Sequence, residues 1–332
     1  MRVEYLYRSS KFNSPRSSGR FSIKAIPAPA LAVSDIQTPR RYNLYMSERP
    51  DQKQWRLIST PPASGAWNMA VDEAILHAVA QGNAAPTLRL FAWEPACLSL
   101  GHAQPFADID LERLAERGWD LVRRPTGGRA ILHDGELTYA MVAPEHHPIM
   151  QGGVLESYHR MSRGLVSALE SLALAVEVHG PEALPQADRT NPICFEVPSA
   201  YEITVGGRKI LGSAQVRRRK TVLQHGSLPL TGNISRICDV LHYLDETHRE
   251  LARSQLRLRA ATLEELTGSP VTWSQAAGAF KHGFQSALDL SFHSAELTSP
   301  EKADVERLLE ERYNNPSWTQ RVMSSTSSEL PG

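Results

Sequence analysis

Arg123-Arg124-Pro125-Thr126-Gly127-Gly128-Arg129-Ala130-Ile131-Leu132-His133-Asp134 carries the chain from one strand-like segment into the next through a loop of arginines and paired glycines. Leu121 and Val122 lead into it, and Leu137 to Ala143 reads as another strand beyond it. Adjacent glycines let a backbone pass close to a ligand, and their N–H groups can cradle a carboxylate or phosphate. Flanking arginines add charge-assisted hydrogen bonds. Taken alone, the same Gly-Gly pair serves equally as a tight connection between strands.

Strand-like and helix-like segments alternate to either side of this loop. Upstream, residues 64–80 set Trp67, Ala70, Val71, Ala74 and Ala78 at helical spacing behind a possible Ser64 N-cap. Thr87 to Trp93 alternates like a half-buried strand, Cys97 to Leu100 forms a second short one, and residues 109–117 form a short helix that Gly118 ends. Downstream, residues 154–174 give the longest helix, with Leu155, Tyr158, Leu165, Leu169 and Leu172 as apolar anchors. Residues 201–215 form a hairpin turning at Gly206-Gly207, where a two-residue link needs positive φ. Val222 to Leu230 adds a strand, and 234–316 is mostly helical in pattern. The expected class is a mixed α/β fold.

Two further segments carry chemistry. In Gly207-Arg208-Lys209-Ile210-Leu211-Gly212-Ser213-Ala214-Gln215, strand alternation puts Lys209, Leu211 and Ser213 on one face. A lysine facing a pocket binds a carbonyl or phosphate oxygen as a point charge, though a solvated strand lysine fits the pattern as well. In Asn191-Pro192-Ile193-Cys194-Phe195-Glu196-Val197-Pro198, the cysteine lies between prolines on an irregular loop, where nucleophiles are often presented. Isolated cysteines are more often inert and buried.

Composition narrows the partners. Lys plus Arg and Asp plus Glu both number 36 in 332 residues, so no global charge draws the chain to nucleic acid or membrane. No apolar run approaches the roughly 20 residues of a bilayer span. The three cysteines, Cys97, Cys194 and Cys238, are too scattered for a disulfide framework or a zinc site, so a reducing, cytoplasmic compartment and no metal are expected. The first 45 residues hold Arg2, Arg8, Arg16, Arg20, Arg40 and Arg41 against Glu4 and Asp35. Such Arg-rich, acid-poor leaders occur as transit peptides, but Met46 also opens a natural-looking start. Residues 1–54 are therefore expected to be an extension outside the fold, 55–320 one catalytic domain and 321–332 a loose tail.

In order, RRPTGGRAILHDGELTY, NPICFEVPSAYEI, GRKILGSAQ and LQHGSLPL resemble the biotin/lipoate protein ligase superfamily. Within it the likeness is to the cysteine-dependent octanoyltransferases, and WNMAVDEAIL and ERYNNPSWTQ look like that family too. The resemblance covers roughly 55–320. It implies a single ligase-like catalytic domain, with a mixed sheet flanked by helices. It implies transfer of octanoyl from octanoyl-acyl carrier protein to a lysine of the glycine cleavage H-protein or an E2 lipoyl domain, with no cofactor. Cys194 would then be the acyl-accepting thiol and Lys209 the lysine beside the reacting carbonyl. Arg124, Thr126, Gly127, Gly128, Arg129 and His133, with Gly212, Ser213, Ala214 and His225, would wrap the acyl chain and its carbonyl. His133 is also a possible general base, and Arg217-Arg218-Arg219-Lys220 a possible guide for an acidic carrier. Thr138 favours this branch, because ATP-using ligases more often show Asn there, and so does a chain without room for the extra C-terminal domain of many ligases. Alternatives on the same residues are an ATP-dependent lipoate–protein ligase, a lipoyl amidotransferase between H-protein and other lipoyl domains, and a non-catalytic carrier-binding module. Biotin ligase is disfavoured by the lack of a GRGR-type phosphate loop.

Overall fold

A computed structural model describes residues 52–179, 193 and 202–322. The expected extension up to residue 51 and the tail from 323 lie outside the described residues, as does Cys194.

The centre is built by strands apolar on both faces. In β2 (Thr87–Phe91) and β6 (Glu136–Pro144), Leu88, Leu90, Leu137, Tyr139, Met141 and Ala143 enter one core, whereas Phe91, Ala140 and Val142 enter another. That period of two places one apolar set on each side of the sheet. β10 (Thr221–Pro229) pairs antiparallel with β6 over nine positions, Thr221↔Pro144 to Pro229↔Glu136. β9 (Arg208–Arg218) then pairs with β10, β8 (Glu202–Val205) with β9, and β7 (Val176–His179) with β8. On the other flank β1 (Gln54–Ser59) runs parallel to β2, and β11 (Ser291–Ser294) parallel to β1. Among the described residues this is an eight-stranded mixed sheet, and β3 (Cys97–Leu100), β4 (Asp120–Arg123) and β5 (Ile131–His133) form a three-stranded one.

Helices cover both faces. α1 (Gly65–Ala80) starts where Ser64 Oγ accepts from the Trp67 amide, and its Val71, Ala74, Ile75 and Leu76 are buried against Ile58, Phe91 and Leu223. α7 (Ser299–Leu308) closes that core with Val305 and Leu308. Across the sheet, α3 (Val154–Ser171) and α6 (Trp273–Leu288) pack together, close enough that a Cβ on Gly164 would lie 2.3 Å from Phe284 Cδ1. The smaller sheet packs on α4 (Glu246–Arg259) and the turn Ile234–Val240. α2 (Leu111–Glu116) links β3 to β4, α5 (Leu263–Thr267) links α4 to α6, and α8 (Pro316–Thr319) ends the described chain.

Three expectations change. Thr87–Phe91 is wholly buried rather than half-buried, because Arg89 is enclosed by α1 instead of facing water. The 154–174 helix stops at Ser171, and Ala173 takes a φ of 62°. The helical last third also contains β11, whose partner Gln54–Leu57 is more than two hundred residues away and invisible to local periodicity. The hairpin turns where expected, with φ of 55° at Gly206 and 72° at Gly207.

Candidate active site

β6, β9 and β10 meet α1 and the glycine loop around a narrow cavity. Its wall includes Met69, Trp93, Ile131, Gly212, Ala214 and Gly226, with His133 and His225 among its polar members. Each histidine is anchored from behind. Arg89 Nη1 donates to Asp72 Oδ1 at 2.7 Å, and both side chains are fully buried. A carboxylate so paired can only accept, so His225 Nδ1–H donates to Asp72 Oδ2 (3.0 Å). Its Nε2 is thereby left to accept from Thr126 Oγ1 (2.7 Å). Burial lowers the His225 pKa, against the opposing hydrogen bond and charge of Asp72, so the neutral ring is favoured.

His133 stacks on Trp93 with centroids 3.9 Å apart. Its Nδ1 meets Glu136 Oε1 at 2.8 Å and its Nε2 meets Ser99 Oγ at 2.7 Å. The same Glu136 oxygen accepts from Ser227 Oγ (2.9 Å) and from Thr138 Oγ1. Thr138 in turn accepts from Trp93 Nε1 at 2.8 Å. Thr138 thus locks the wall tryptophan and the carboxylate together.

The two leading arginines hold the loop, and Arg124 also lines the cavity. Arg124 donates to the carbonyls of Ser99 (3.0 Å), Gly127 (2.9 Å) and Arg129 (2.7 Å). Arg123, fully buried, donates to the carbonyls of Gly101, Gln104 and Thr319. Burial first, then Arg321 and Arg124, pull the Arg123 pKa down to about 10. Gly101 has no room for a side chain, since a Cβ there would sit 1.9 Å from the Gly128 carbonyl oxygen. Gly127, Gly128 and Arg129 face an adjoining open groove with His102, Val216 and Arg218.

The structure therefore brings Arg124, His133, Gly212, Ser213, Ala214 and His225 to one cavity, with Thr126 reaching it through His225. Gly127, Gly128 and Arg129 belong to the groove beside it. Lys209 is 4% exposed, donates to Glu202 Oε1 at 3.0 Å and is not among the cavity's lining residues. The expected common face of Lys209, Leu211 and Ser213 is broken by a bulge at Ile210, because Thr204 pairs with Lys209 while Ile203 pairs with Leu211. Ile193, immediately before Cys194, is buried and bridges Ala130 at the end of the glycine loop. Sequence reading missed Asp72, Arg89, Ser99, Trp93 and Glu136. Asp72, inside WNMAVDEAIL, and Glu136, inside the HDGELTY string, stood in segments already singled out for the family resemblance; the other three carried no local signal. No group of three or more His, Cys, Asp or Glu suited to a metal occurs among the described residues.

The glycine loop and the two anchored histidines thus surround a narrow cavity on a mixed sheet covered by helices, the architecture of a catalytic domain. The chain belongs to the lipoyl protein ligase A/B catalytic domain family, whose model matches residues 64–285. It is 40% identical over 271 residues to octanoyltransferase LipM of Kyrpidia tusciae, covering 80% of this chain and 98% of that one. To octanoyltransferase LipM of Brevibacillus brevis it is 38% identical over 274 residues, covering 81% and 99%. In fold it resembles a bi-partite lipoate protein ligase from Thermoplasma acidophilum, solved in work on that ligase and its E2 lipoyl domain. The TM-score is 0.69 at 22% identity, covering 82% of this chain and 99% of that one. A lipoate-protein ligase A bound with ATP superposes with a TM-score of 0.66 at 22% identity, covering 81% and 99%.

Proposed function

We propose that this chain is an octanoyltransferase of lipoate biosynthesis, moving octanoyl from an octanoyl-acyl carrier protein to a lysine of the H-protein or an E2 lipoyl domain. The observation that carries the reading is the inner cavity: a narrow slot with an apolar wall, whose buried histidine favours the neutral form. Such a slot suits a saturated acyl chain and rejects a charged group. The octanoyltransferase relatives, 35–40% identical over nearly their whole length, support the same conclusion. No helix among the described residues is long and apolar enough to cross a membrane.

Cys194 is the acyl acceptor in this reading. Its thiolate attacks the donor carbonyl, the tetrahedral intermediate expels the carrier thiolate, and that sulfur takes up the proton Cys194 gave. The acceptor lysine, as a free amine, then attacks the S-octanoyl enzyme; an amide forms, the amine loses a proton and the Cys194 thiol returns. Two easier steps replace one difficult transfer, and thioester to amide is downhill without ATP. Two facts support Cys194. Its neighbour Ile193 is fixed on Ala130 beside the cavity wall at Ile131. The other two cysteines are fully buried, and burial, with Asp120 and Glu136, pushes the Cys97 thiol well above its usual range. Lys209 supplies positive charge for the thiolate and the oxyanion.

Intact-mass spectrometry of the protein with octanoyl-carrier protein and no ATP tests this. The expected result is a hydroxylamine-labile octanoyl adduct, absent in Cys194→Ala and discharged by H-protein. Lipoylation seen only with ATP and free acid would move the chain to the ligase reaction.

A further inference from the structure

The open groove beside the inner cavity, about 530 Å³, is lined by His102, Gly127, Gly128, Arg129 and Arg218. The loop's carbonyls are turned inward: Gly127 and Arg129 give theirs to Arg124, and that of Gly128 lies against Gly101. In a trans peptide the N–H points opposite to the C=O of the same unit. The amides of Gly128 and Arg129 are therefore directed away from Arg124 and Gly101, and both glycines are exposed. The Arg129 guanidinium has no hydrogen bond or ion pair among the described residues, with Asp108 as an electrostatic neighbour. Arg218 contributes a second guanidinium, and its carboxylate neighbour Glu73, 3.7 Å away, is already shared with Arg312 and Tyr313. Positive charge dominates here: beyond burial, Arg321, Arg218, Arg123 and Arg312 all lower the pKa of His102 in the groove wall.

The groove and the cavity also lie along the same strand. Ala214, Val216 and Arg218 alternate along one face of β9; Ala214 lines the cavity, and Val216 and Arg218 line the groove. Four residues of strand span about 13 Å. A phosphate held at Arg218 is thus far from an acyl group in the cavity. An acyl-adenylate places phosphorus one oxygen from the carbonyl and does not fit that separation. A thioester on a long, phosphorylated arm does.

We propose that this groove binds the phosphate of the acyl donor through Arg129, Arg218 and the outward amides of the glycine loop. The proposal rests on the octanoyltransferase reading and names the donor chemistry it requires. The test is kcat/KM, without ATP and with a lipoyl-domain acceptor, for S-octanoyl-4′-phosphopantetheine and for S-octanoyl-pantetheine, which lacks the phosphate. Arg129→Met and Arg218→Met are each expected to lose about tenfold with the phosphorylated donor, and the pair about a hundredfold, while the other donor changes less than about twofold. Equal efficiency of the two donors in the parent, or equal losses on both in Arg129→Met with an unchanged melting curve, overturns the proposal. So does selective slowing of octanoyl-adenylate rather than the phosphorylated thioester, which would assign the groove to a nucleotide. Arg129→Met keeps the test sharp if Arg218→Met fails to fold. Transfer from neither thioester by the parent protein would sink the octanoyltransferase reading itself, whereas transfer from both equally sinks the phosphate site alone.

Discussion

Replacing Asp72 by Asn removes one charge from a fully buried pair and keeps the shape of the side chain. Arg89 is then a buried cation without a counter-ion, a condition that costs about 3–5 kcal/mol. Several dipoles remain around it: Asn68 Oδ1 at 2.6 Å, the Asn68 carbonyl at 3.0 Å, Thr60 Oγ1 at 3.0 Å and the face of Phe91 at 3.8 Å. These put the expected cost at the lower end, about 3 kcal/mol, still a large part of a typical stability of about 5–15 kcal/mol. Urea denaturation followed by tryptophan fluorescence reads it as a lower midpoint at unchanged slope. Arg89→Met in the same background removes the stranded charge, so the double variant should be more stable than the sum of the singles by about 1–3 kcal/mol. A cost below about 1 kcal/mol for Asp72→Asn, or strict additivity in the cycle, would refute the reasoning that this pair is electrostatically closed off from water.

Three further outcomes follow from the same geometry. His225 titrates below its unfolded value of about 6.5, so the unfolded chain takes up that proton first as pH falls; its share of stability is whole above about 6.5 and is lost as pH drops through the folded value. His225→Gln should blunt that acid loss without abolishing it, because His147 is shifted the same way by burial; an identical stability–pH curve for parent and variant would contradict the assignment. Gly101→Ala drives a Cβ into the Gly128 carbonyl, and about 1–3 kcal/mol of overpacking should appear in the melting curve together with a loss of transfer rate larger than stability explains. Lys209→Met should slow formation of the acyl-enzyme by about a hundredfold or more, as loss of an oxyanion stabiliser does, while binding of the carrier is kept; an unaltered burst phase would remove Lys209 from the chemistry.

Much of the fold is written in short-range patterns. The strand character of β2 and β6, the Ser64 cap and the Gly206-Gly207 turn are each decided within a few residues, so periodicity and turn chemistry find them. What periodicity does not find is pairing across the chain. Asp72 and His225 are 153 positions apart, and β1 meets β11 over a still longer interval. Arg89, Arg123 and Arg124 look solvent-bound by type and are buried because each has carbonyls or a carboxylate supplied by distant segments. The bulge at Ile210 is a one-residue irregularity that reverses an argument from alternation, which is why Lys209 lies against Glu202.

The site residues themselves divide in a way that bears on what this fold can catalyse. The inner cavity is shaped by groups held from behind, through Asp72, Glu136, Thr138 and Ser99, and its wall is largely apolar. Such a slot recognises the acyl chain and says little about what the acyl is attached to. The outward amides of the glycine loop and the guanidinium groups of Arg129 and Arg218, the latter 3.7 Å from Glu73, lie in the groove beside it. A ligase and a transferase of one fold handle the same acyl group and differ in its leaving group, so the proposed groove is where the two would be told apart. Changes confined to the cavity should therefore alter chain-length preference, and changes confined to the groove should alter which activated form of the acyl group is accepted.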